Sequence, residues 1–403
     1  MKILNIFCDM LRPDVVSLFN EEEKEETILE NEMKNLGGTI YTNTFSVNPD
    51  TGRTMACLLT GMLAKKNGCI LSGQYPEYFL KKDLYNLNDL ILEKKINSYF
   101  LAKQDYTKTG FFPKNTIGIV EINENQKNDY KKQIIKVKEK INESEDLFIF
   151  ITLSDFHDVM EAYGYEKKFM KKGKEKIGIM LNYIFKEINK DDFDYIFIFS
   201  DHGCKLNYEK NKKDLFLINT DRTRITLQVR KKYENGIKKN NYLKSTLDFF
   251  PTWCYLFNKD IDVDGENLFF DKKDRTLTIE STTDFKNPWA QSNLWAGIKE
   301  NIVLLKSMNK EIILENRVGV FDKEAFLDVN EKNKIYKKLE EETFFYNKNI
   351  ILNIENKPKV DKNIVRFRYS DGTALNIKLK FYLFLCKIGL FFILRKIKNL
   401  RKV

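Results

Sequence analysis

The sequence is poor in histidine, and its cysteines lack any paired spacing. His157 and His202 are the only histidines among 403 residues, so a site that uses imidazole groups must rely on one or both of them. The six cysteines are scattered without a CxxC motif and mostly stand in apolar runs, which indicates reduced, buried thiols. A small fold held together by disulfides is therefore excluded.

Acidic residues are absent from the end of the chain. None follows Asp371, whereas eight lysines and arginines lie between Lys378 and Lys402. Most of the formal net charge of +10 is concentrated there, so the near-neutral remainder does not support nucleic-acid binding. Lys387 interrupts the apolar residues of this segment, and the uninterrupted runs are too short to span a bilayer.

Residues 379–403 are accordingly predicted to form a basic amphipathic helix that lies on an anionic membrane surface. The alternative is a C-terminal helix that docks on the domain. No signal-peptide pattern precedes the first apolar strand, which begins at Lys2 and leads directly to Asp9. We therefore expect a cytoplasmic protein, peripheral on the inner face of the cytoplasmic membrane.

Strand and helix patterns alternate through most of the chain, which predicts an α/β fold with a doubly wound, mostly parallel sheet flanked by helices. Strands are predicted at residues 2–9, 39–45, 96–102, 147–153, 194–201 and 224–230. Helices are predicted at residues 21–35, 86–95, 128–142, 167–189 and 244–257, the last with a break at Pro251.

Shorter strands follow, at residues 276–280, 301–307 and 311–320, together with a helix at 331–341. They predict a small C-terminal antiparallel subdomain. The resulting organisation is an α/β domain over 1–270, an α+β subdomain over 271–346, a linker over 347–378 and the amphipathic helix over 379–403.

Residues 48–61 (NPDTGRTMACLLTG) open with turn formers, continue as an apolar helical run and stop at Gly61. Thr51 stands where this helix begins. Its hydroxyl would meet unpaired backbone N–H groups and the positive end of the helix dipole, which suits an anionic ester. The alternative is that Thr51 is an ordinary helix N-cap.

Two apolar strands end in metal-ligand residue types. One leads to Asp9 and the other to Asp201 and His202, within the sequence SDHG at 200–203. Because ligands in open α/β sheets gather at the carboxyl ends of the strands, these side chains are expected to share one site.

Taken in order, these motifs resemble the sulfatase branch of the alkaline phosphatase superfamily. Residues 6–14 (IFCDMLRPD) look like the family's first strand, where DDLRPD is common, and Thr51 precedes Gly61 by ten residues, as the family nucleophile does. Residues 148–158 (FIFITLSDFHD) look like the strand that leads to a substrate-side histidine. The sequences SDHG, 248–252 (DFFPT) and 264–268 (DGENL) complete a resemblance over about residues 1–345.

The sequence also departs from this family. Sulfatases proper carry a Cys or Ser that is oxidised to formylglycine within C-x-P-S-R, and Thr51 is not a substrate for that oxidation. Met10 replaces the second aspartate of the first strand, so one metal ligand is missing. A threonine with an Asp-His pair is similar instead to the phosphoryl-transferring members, such as lipoteichoic acid synthases and phosphoethanolamine transferases.

The resemblance implies one divalent metal ion held by Asp9, Asp201 and His202 against the Thr51 oxygen. Manganese, magnesium, zinc and calcium are all candidates, with manganese preferred. Two histidines are too few for the two-zinc sites of the superfamily. Arg53 and the backbone amides of residues 51–53 are candidate donors to the charge that develops on the ester.

Three further residues are candidates at this site. His157 is predicted to be a general acid or a substrate contact, and the alternative is a structural histidine. Lys103 and Lys108 stand where relatives often place a substrate-binding lysine, and the alternative for each is an exposed surface residue.

The expected function is that of a metal-dependent, sulfatase-like hydrolase or transferase with a phosphothreonine intermediate. Its expected substrate is a phosphate ester of a glycan, a polyol or a lipid-linked cell-envelope intermediate. One alternative is a sulfuric ester hydrolase. The other is an inactive scaffold with this fold, because Met10 replaces an acid and the C-x-P-S-R arginine is absent.

Overall fold

The computed structural model describes residues 1–69, 84–103, 119–122, 127–142, 145–163, 167–204, 218–281, 294–307 and 311–345. The predicted linker, the predicted amphipathic helix and Lys108 lie outside these residues. Within the described ranges, no helix is both long enough and apolar enough to cross a membrane.

The strands form a main sheet of eight strands, a second sheet of four strands and a separate pair of two strands, and the helices alternate with them along the chain. The described strands are β1 (Lys2–Cys8), β2 (Gly38–Tyr41), β3 (Thr44–Phe45), β4 (Asn97–Lys103), β5 (Ile119–Ile122), β6 (Leu147–Leu153), β7 (Tyr195–Phe199), β8 (Leu227–Lys231), β9 (Ile237–Asn240), β10 (Lys244–Ser245), β11 (Thr276–Ser281), β12 (Leu294–Lys299), β13 (Ile302–Ser307) and β14 (Glu311–Glu315). The described helices are α1 (Ile28–Leu36), α2 (Thr51–Thr60), α3 (Ala64–Asn67), α4 (Leu87–Lys94), α5 (Lys127–Ile141), α6 (Asp155–Tyr163), α7 (Lys167–Glu187), α8 (Thr220–Thr223), α9 (Phe249–Leu256) and α10 (Val329–Glu342).

The main sheet has the strand order β5-β4-β6-β1-β7-β8-β2-β9. The first five strands in this order, which are β5, β4, β6, β1 and β7, run parallel to one another. Strand β8 is antiparallel to both of its neighbours, β7 and β2. The predicted mostly parallel, doubly wound sheet is thus confirmed. Every residue of β6 is buried, as expected for a central strand covered by helices on both faces.

The sheet separates two apolar cores. Along β1, Ile3 and Phe7 pack into one core and Leu4, Ile6 and Cys8 into the other, because successive side chains of a strand point to opposite faces. The first core includes α2 and α9, and the second includes α1 and α7. Both faces of β1 are therefore buried.

Helix α7 carries a buried lysine that holds two other segments. The Lys174 ammonium donates to the carbonyls of Val15 (2.7 Å) and Glu25 (2.9 Å) and to the Glu30 carboxylate (2.7 Å). Glu30 also accepts from the backbone N–H of Thr27 in a capping box at the start of α1. This ion pair fixes α1 and the chain that follows β1 against α7.

The second sheet has the antiparallel order β11-β12-β13-β14, and α10 packs on one of its faces. It confirms the predicted small antiparallel subdomain, although β12 was not predicted and β14 ends at Glu315, well before residue 320. The sheet reaches the turn before α2, since the Asn48 amide donates to the Glu280 carbonyl over 2.9 Å. The second sheet therefore supports the segment that carries Thr51.

The predicted helix over residues 244–257 is wrong in its first part. Residues 244–245 form β10, and helix α9 begins at Phe249. Pro251 does not break this helix, because it lies in the first turn, where backbone N–H groups have no partner within the helix.

Candidate active site

The carboxyl ends of β1 and β7 meet at one edge of the main sheet. These strands are parallel neighbours with Phe7 paired to Phe199, so Asp9 and Asp201 each stand two residues beyond the last pair. The Asp9 backbone N–H donates to the Leu153 carbonyl at the end of β6, which extends the ladder to the site. The register of the sheet thus brings the two carboxylates together.

Asp9, Asp201 and His202 form a buried group whose donor atoms lie within 4.8 Å of one another. The side chain of each is almost fully enclosed, and Nε2 of His202 lies 3.2 Å from Oδ2 of Asp201. This Oδ2 has no hydrogen-bond partner among the described residues. Two carboxylates and an imidazole suit a divalent cation, so the residues present fit a metal ion.

The charges in this group also favour a cation. Burial and the neighbouring Asp9 carboxylate raise the pKa of Asp201 well above its ordinary value. Burial, followed by the positive charge of Arg222, lowers the pKa of His202 to about 3, so this imidazole is neutral. Two buried carboxylates without a cation repel each other, and a neutral imidazole has a lone pair to donate.

The tautomer of His202 follows from its contact with Gly203. Nδ1 lies 2.7 Å from the Gly203 carbonyl, which only accepts hydrogen bonds, so the proton of the neutral ring is on Nδ1. Nε2 then carries the lone pair that faces the site. A Cβ on Gly203 would lie 2.2 Å from the Asp221 carbonyl oxygen, so only glycine permits this close approach.

Thr51 is the first residue of α2, and the helix ends at Gly61 in the left-handed conformation. The Oγ1 hydroxyl of Thr51 lies 3.1 Å from Nε2 of His202. The N-cap is Asp50, whose side chain accepts from the Arg53 backbone N–H, so the alternative reading of Thr51 as the cap is wrong. The structure thus places the Thr51 hydroxyl beside the metal-ligand group.

Arg53 is held by the same cap. Its buried guanidinium donates to the Asp50 carboxylate (2.6 Å from Nε) and lies 3.4 Å from the Ser281 hydroxyl of the second sheet. These contacts make Arg53 a clamp on the turn before α2. Its expected role as a donor to substrate stays a prediction.

His157, near the start of α6, contacts a candidate metal ligand. Its Nδ1 lies 2.7 Å from Oδ2 of Asp9, while about a third of its side chain (36%) stays exposed. Burial alone would lower the pKa of His157, but the charge and hydrogen bond of Asp9 outweigh it and raise the pKa to about 9. The contact of His157 with Asp9 therefore orients this carboxylate, and general-acid catalysis stays a prediction.

Met10 stands at the position of the missing acidic ligand. Its side chain packs in the apolar core, and its backbone is left-handed with φ of 62°. The Met10 N–H lies 3.2 Å from Oδ1 of Asp201 and donates to it. This position therefore contributes a backbone N–H donor to the site.

The two candidate lysines are placed only in part. Lys103 ends β4, so its backbone lies at the same edge of the sheet as Asp9, and Lys108 falls outside the described residues.

Sequence reasoning missed Asp50 and Arg222. Nε of Arg222 donates to the Pro49 carbonyl over 2.8 Å. No spacing in the sequence links Arg222 to residues 48–61.

No protein-family model and no curated protein matches the sequence. Solved structures do match its fold. An alkaline phosphatase superfamily protein from Vibrio parahaemolyticus is 14% identical with a TM-score of 0.60, over 87% of this chain and 87% of that one. BT1596, a 2-O GAG sulfatase, is 11% identical with a TM-score of 0.59, over 89% of this chain and 94% of that one.

The phosphonate monoester hydrolase of Agrobacterium radiobacter is 10% identical with a TM-score of 0.52, over 84% of this chain and 94% of that one. The chain therefore has the fold of the alkaline phosphatase superfamily, which confirms the resemblance found in the motifs at the level of the fold.

Proposed function

We propose that the protein is a metal-dependent, sulfatase-like ester hydrolase or transferase in which Thr51 is the nucleophile. The observation that carries this proposal is the position of Oγ1 of Thr51, 3.1 Å from Nε2 of His202 at the start of α2. A hydroxyl that meets both a helix N-terminus and a metal-ligand group is placed to attack an anionic ester.

Asp9, Asp201 and His202 would hold one divalent ion, for which manganese is our preferred candidate. When bound, the ion supplies neutralisation of the ester oxygens and a lower pKa for a nearby hydroxyl. Oγ1 of Thr51 loses its proton to solvent and forms a new bond to phosphorus, while the bond from phosphorus to the leaving-group oxygen breaks and that oxygen takes up a proton. Water or an acceptor hydroxyl then cleaves the resulting phosphothreonine, which gives hydrolysis or transfer respectively.

Residues around the metal-ligand group would hold the reacting groups in place. His157 orients Asp9, and its partly exposed ring is positioned as a candidate proton donor to the leaving group. Asp50 and Arg53 fix the turn before Thr51. Lys103 and Lys108 are proposed to contact the substrate.

The proposed substrate is a phosphate ester of a glycan, polyol or lipid-linked cell-envelope intermediate. Threonine cannot become formylglycine, which favours phosphoryl over sulfuryl transfer. A sulfuric ester is the second candidate, because the fold is similar to that of a 2-O GAG sulfatase. A catalytically inactive scaffold is the third candidate, since Met10 stands where an acidic metal ligand is missing.

We further propose that the protein is cytoplasmic and peripheral on the inner face of the cytoplasmic membrane.

Turnover of simple esters tests the proposal. The full chain, loaded with manganese, is assayed on aryl phosphate monoesters, phosphodiesters, phosphonates and sulfates. Thr51→Ala is expected to lose activity by at least about a thousandfold, as removal of a nucleophile does. Thr42→Ala, which removes a hydroxyl bonded to the Asn241 side chain, is the matched control. Full activity in Thr51→Ala would contradict the proposal.

A further inference from the structure

Arg222 joins the two segments that form the candidate active site. Its backbone carbonyl accepts from the Gly203 N–H over 2.7 Å, next to His202. Its side-chain Nε donates to the Pro49 carbonyl over 2.8 Å, two residues before Thr51. Arg222 therefore connects the segment that follows His202 with the turn that carries Thr51, and its half-buried side chain lies at that turn.

Among the described residues, Arg222 differs from most enclosed arginines because it forms no ion pair. Most other enclosed arginines face a carboxylate: Arg12 faces Asp14, Arg53 faces Asp50, Arg230 faces Asp191 and Arg275 faces Asp248. Among the residues that the structure describes, no carboxylate pairs with Arg222, and its only described side-chain hydrogen bond is the one from Nε. A guanidinium has five N–H donors, so the two terminal nitrogens have donors to offer.

The contact of Arg222 with the Pro49 carbonyl holds this guanidinium at the turn that carries Thr51. The imidazole of His202 in turn contacts the Thr51 hydroxyl. A planar pair of terminal nitrogens matches two oxygens of a tetrahedral anion, which an ammonium group cannot do.

We propose that Arg222 binds two oxygens of the anionic ester group through its terminal nitrogens while Nε stays on the Pro49 carbonyl. This inference rests on the proposed function, since it assigns a substrate contact to the site of Thr51. It narrows the substrate class to esters that keep at least two charge-bearing oxygens, such as phosphate monoesters, phosphodiesters and sulfates. Neutral carboxylic esters are excluded by the same contact.

Inorganic phosphate is the probe, and its binding is measured by calorimetry on the manganese-loaded full chain. All proteins carry Thr51→Ala, so that binding is read without turnover. Arg222→Gln is expected to weaken phosphate binding by at least about tenfold, the loss expected for charge-assisted hydrogen bonds. Arg222→Lys is expected to recover part of this loss, because it keeps the charge without the fork. Arg317→Gln removes an exposed arginine by the same change and should leave binding unaltered.

A purely structural role for Arg222 makes a different prediction. If Arg222 only held the Pro49 carbonyl, Arg222→Gln would lower the manganese affinity, the urea midpoint of unfolding and the phosphate affinity together. That result would overturn the proposal, as would unchanged phosphate affinity in Arg222→Gln or no phosphate binding by the parent. Weaker phosphate binding with unchanged manganese affinity would support it. Failure to turn over any ester would instead contradict the proposed function, and the phosphate measurement would still decide the role of Arg222.

Discussion

The buried ion pair of Lys174 and Glu30 gives a stability prediction with a definite magnitude. Replacement of Lys174 by methionine keeps the bulk of the side chain but removes the ammonium that contacts Glu30 and the carbonyls of Val15 and Glu25. Glu30 is fully buried, so its charge would be left without a cation. Breaking such a pair costs about 3–5 kcal/mol of unfolding free energy.

The lower part of that range is expected here, because Glu30 keeps hydrogen bonds from the Thr27 backbone and hydroxyl. We therefore expect Lys174→Met to lower the unfolding free energy by about 3 kcal/mol. Addition of Glu30→Gln should recover at least about 1 kcal/mol, since it removes the unpaired charge while it keeps a capping side chain.

Urea unfolding of the single and double variants measures these values. Lys171→Met is the matched control, because Lys171 is on the same helix and pairs with Glu25 while both side chains are about half exposed. Its expected loss is much smaller than that of Lys174→Met, because solvent screens an exposed ion pair. A loss in Lys174→Met as small as in this control, or strictly additive effects in the double variant, would refute the reasoning.

Two further predictions concern the ion and the tail. Asp201→Asn should weaken manganese binding by at least about tenfold, because it removes a charged ligand, and a chelator should abolish turnover of the unmodified protein. Equal manganese affinity in the variant would place the ion elsewhere. Truncation after Lys378 should release the protein from anionic vesicles and keep its activity on a soluble ester. A truncated protein that unfolds would show that the segment belongs to the core.

The fold could be predicted because its central strands are unambiguous. The apolar runs of β1, β6 and β7 are too short for helices and end in polar residues, so they indicate buried parallel strands. Parallel neighbours bring their carboxyl ends to one edge, which is why Asp9 and Asp201 were expected to meet. The position of Thr51 at a helix start followed from the turn formers before it and from Gly61 after it.

Other features depend on tertiary contacts that no local pattern shows. Strand β12 contains Gly297, whose missing side chain makes room for Ile335 of α10, so its strand propensity is low. The cap at Asp50 was missed because both Asp50 and Thr51 are good N-cap residues. Arg222 is brought to the site by the close approach of residues 221–222 to Gly203, which only a glycine permits.

Formation of a phosphothreonine at Thr51 is the central claim, and intact-mass measurement tests it most directly. The manganese-loaded full chain is mixed briefly with an aryl phosphate or phosphodiester donor and quenched in acid. The account predicts an adduct of one phosphoryl group, located at Thr51 by fragmentation and absent from Thr51→Ala. An adduct of equal yield in Thr51→Ala, or turnover of the same donor by that variant, would contradict it.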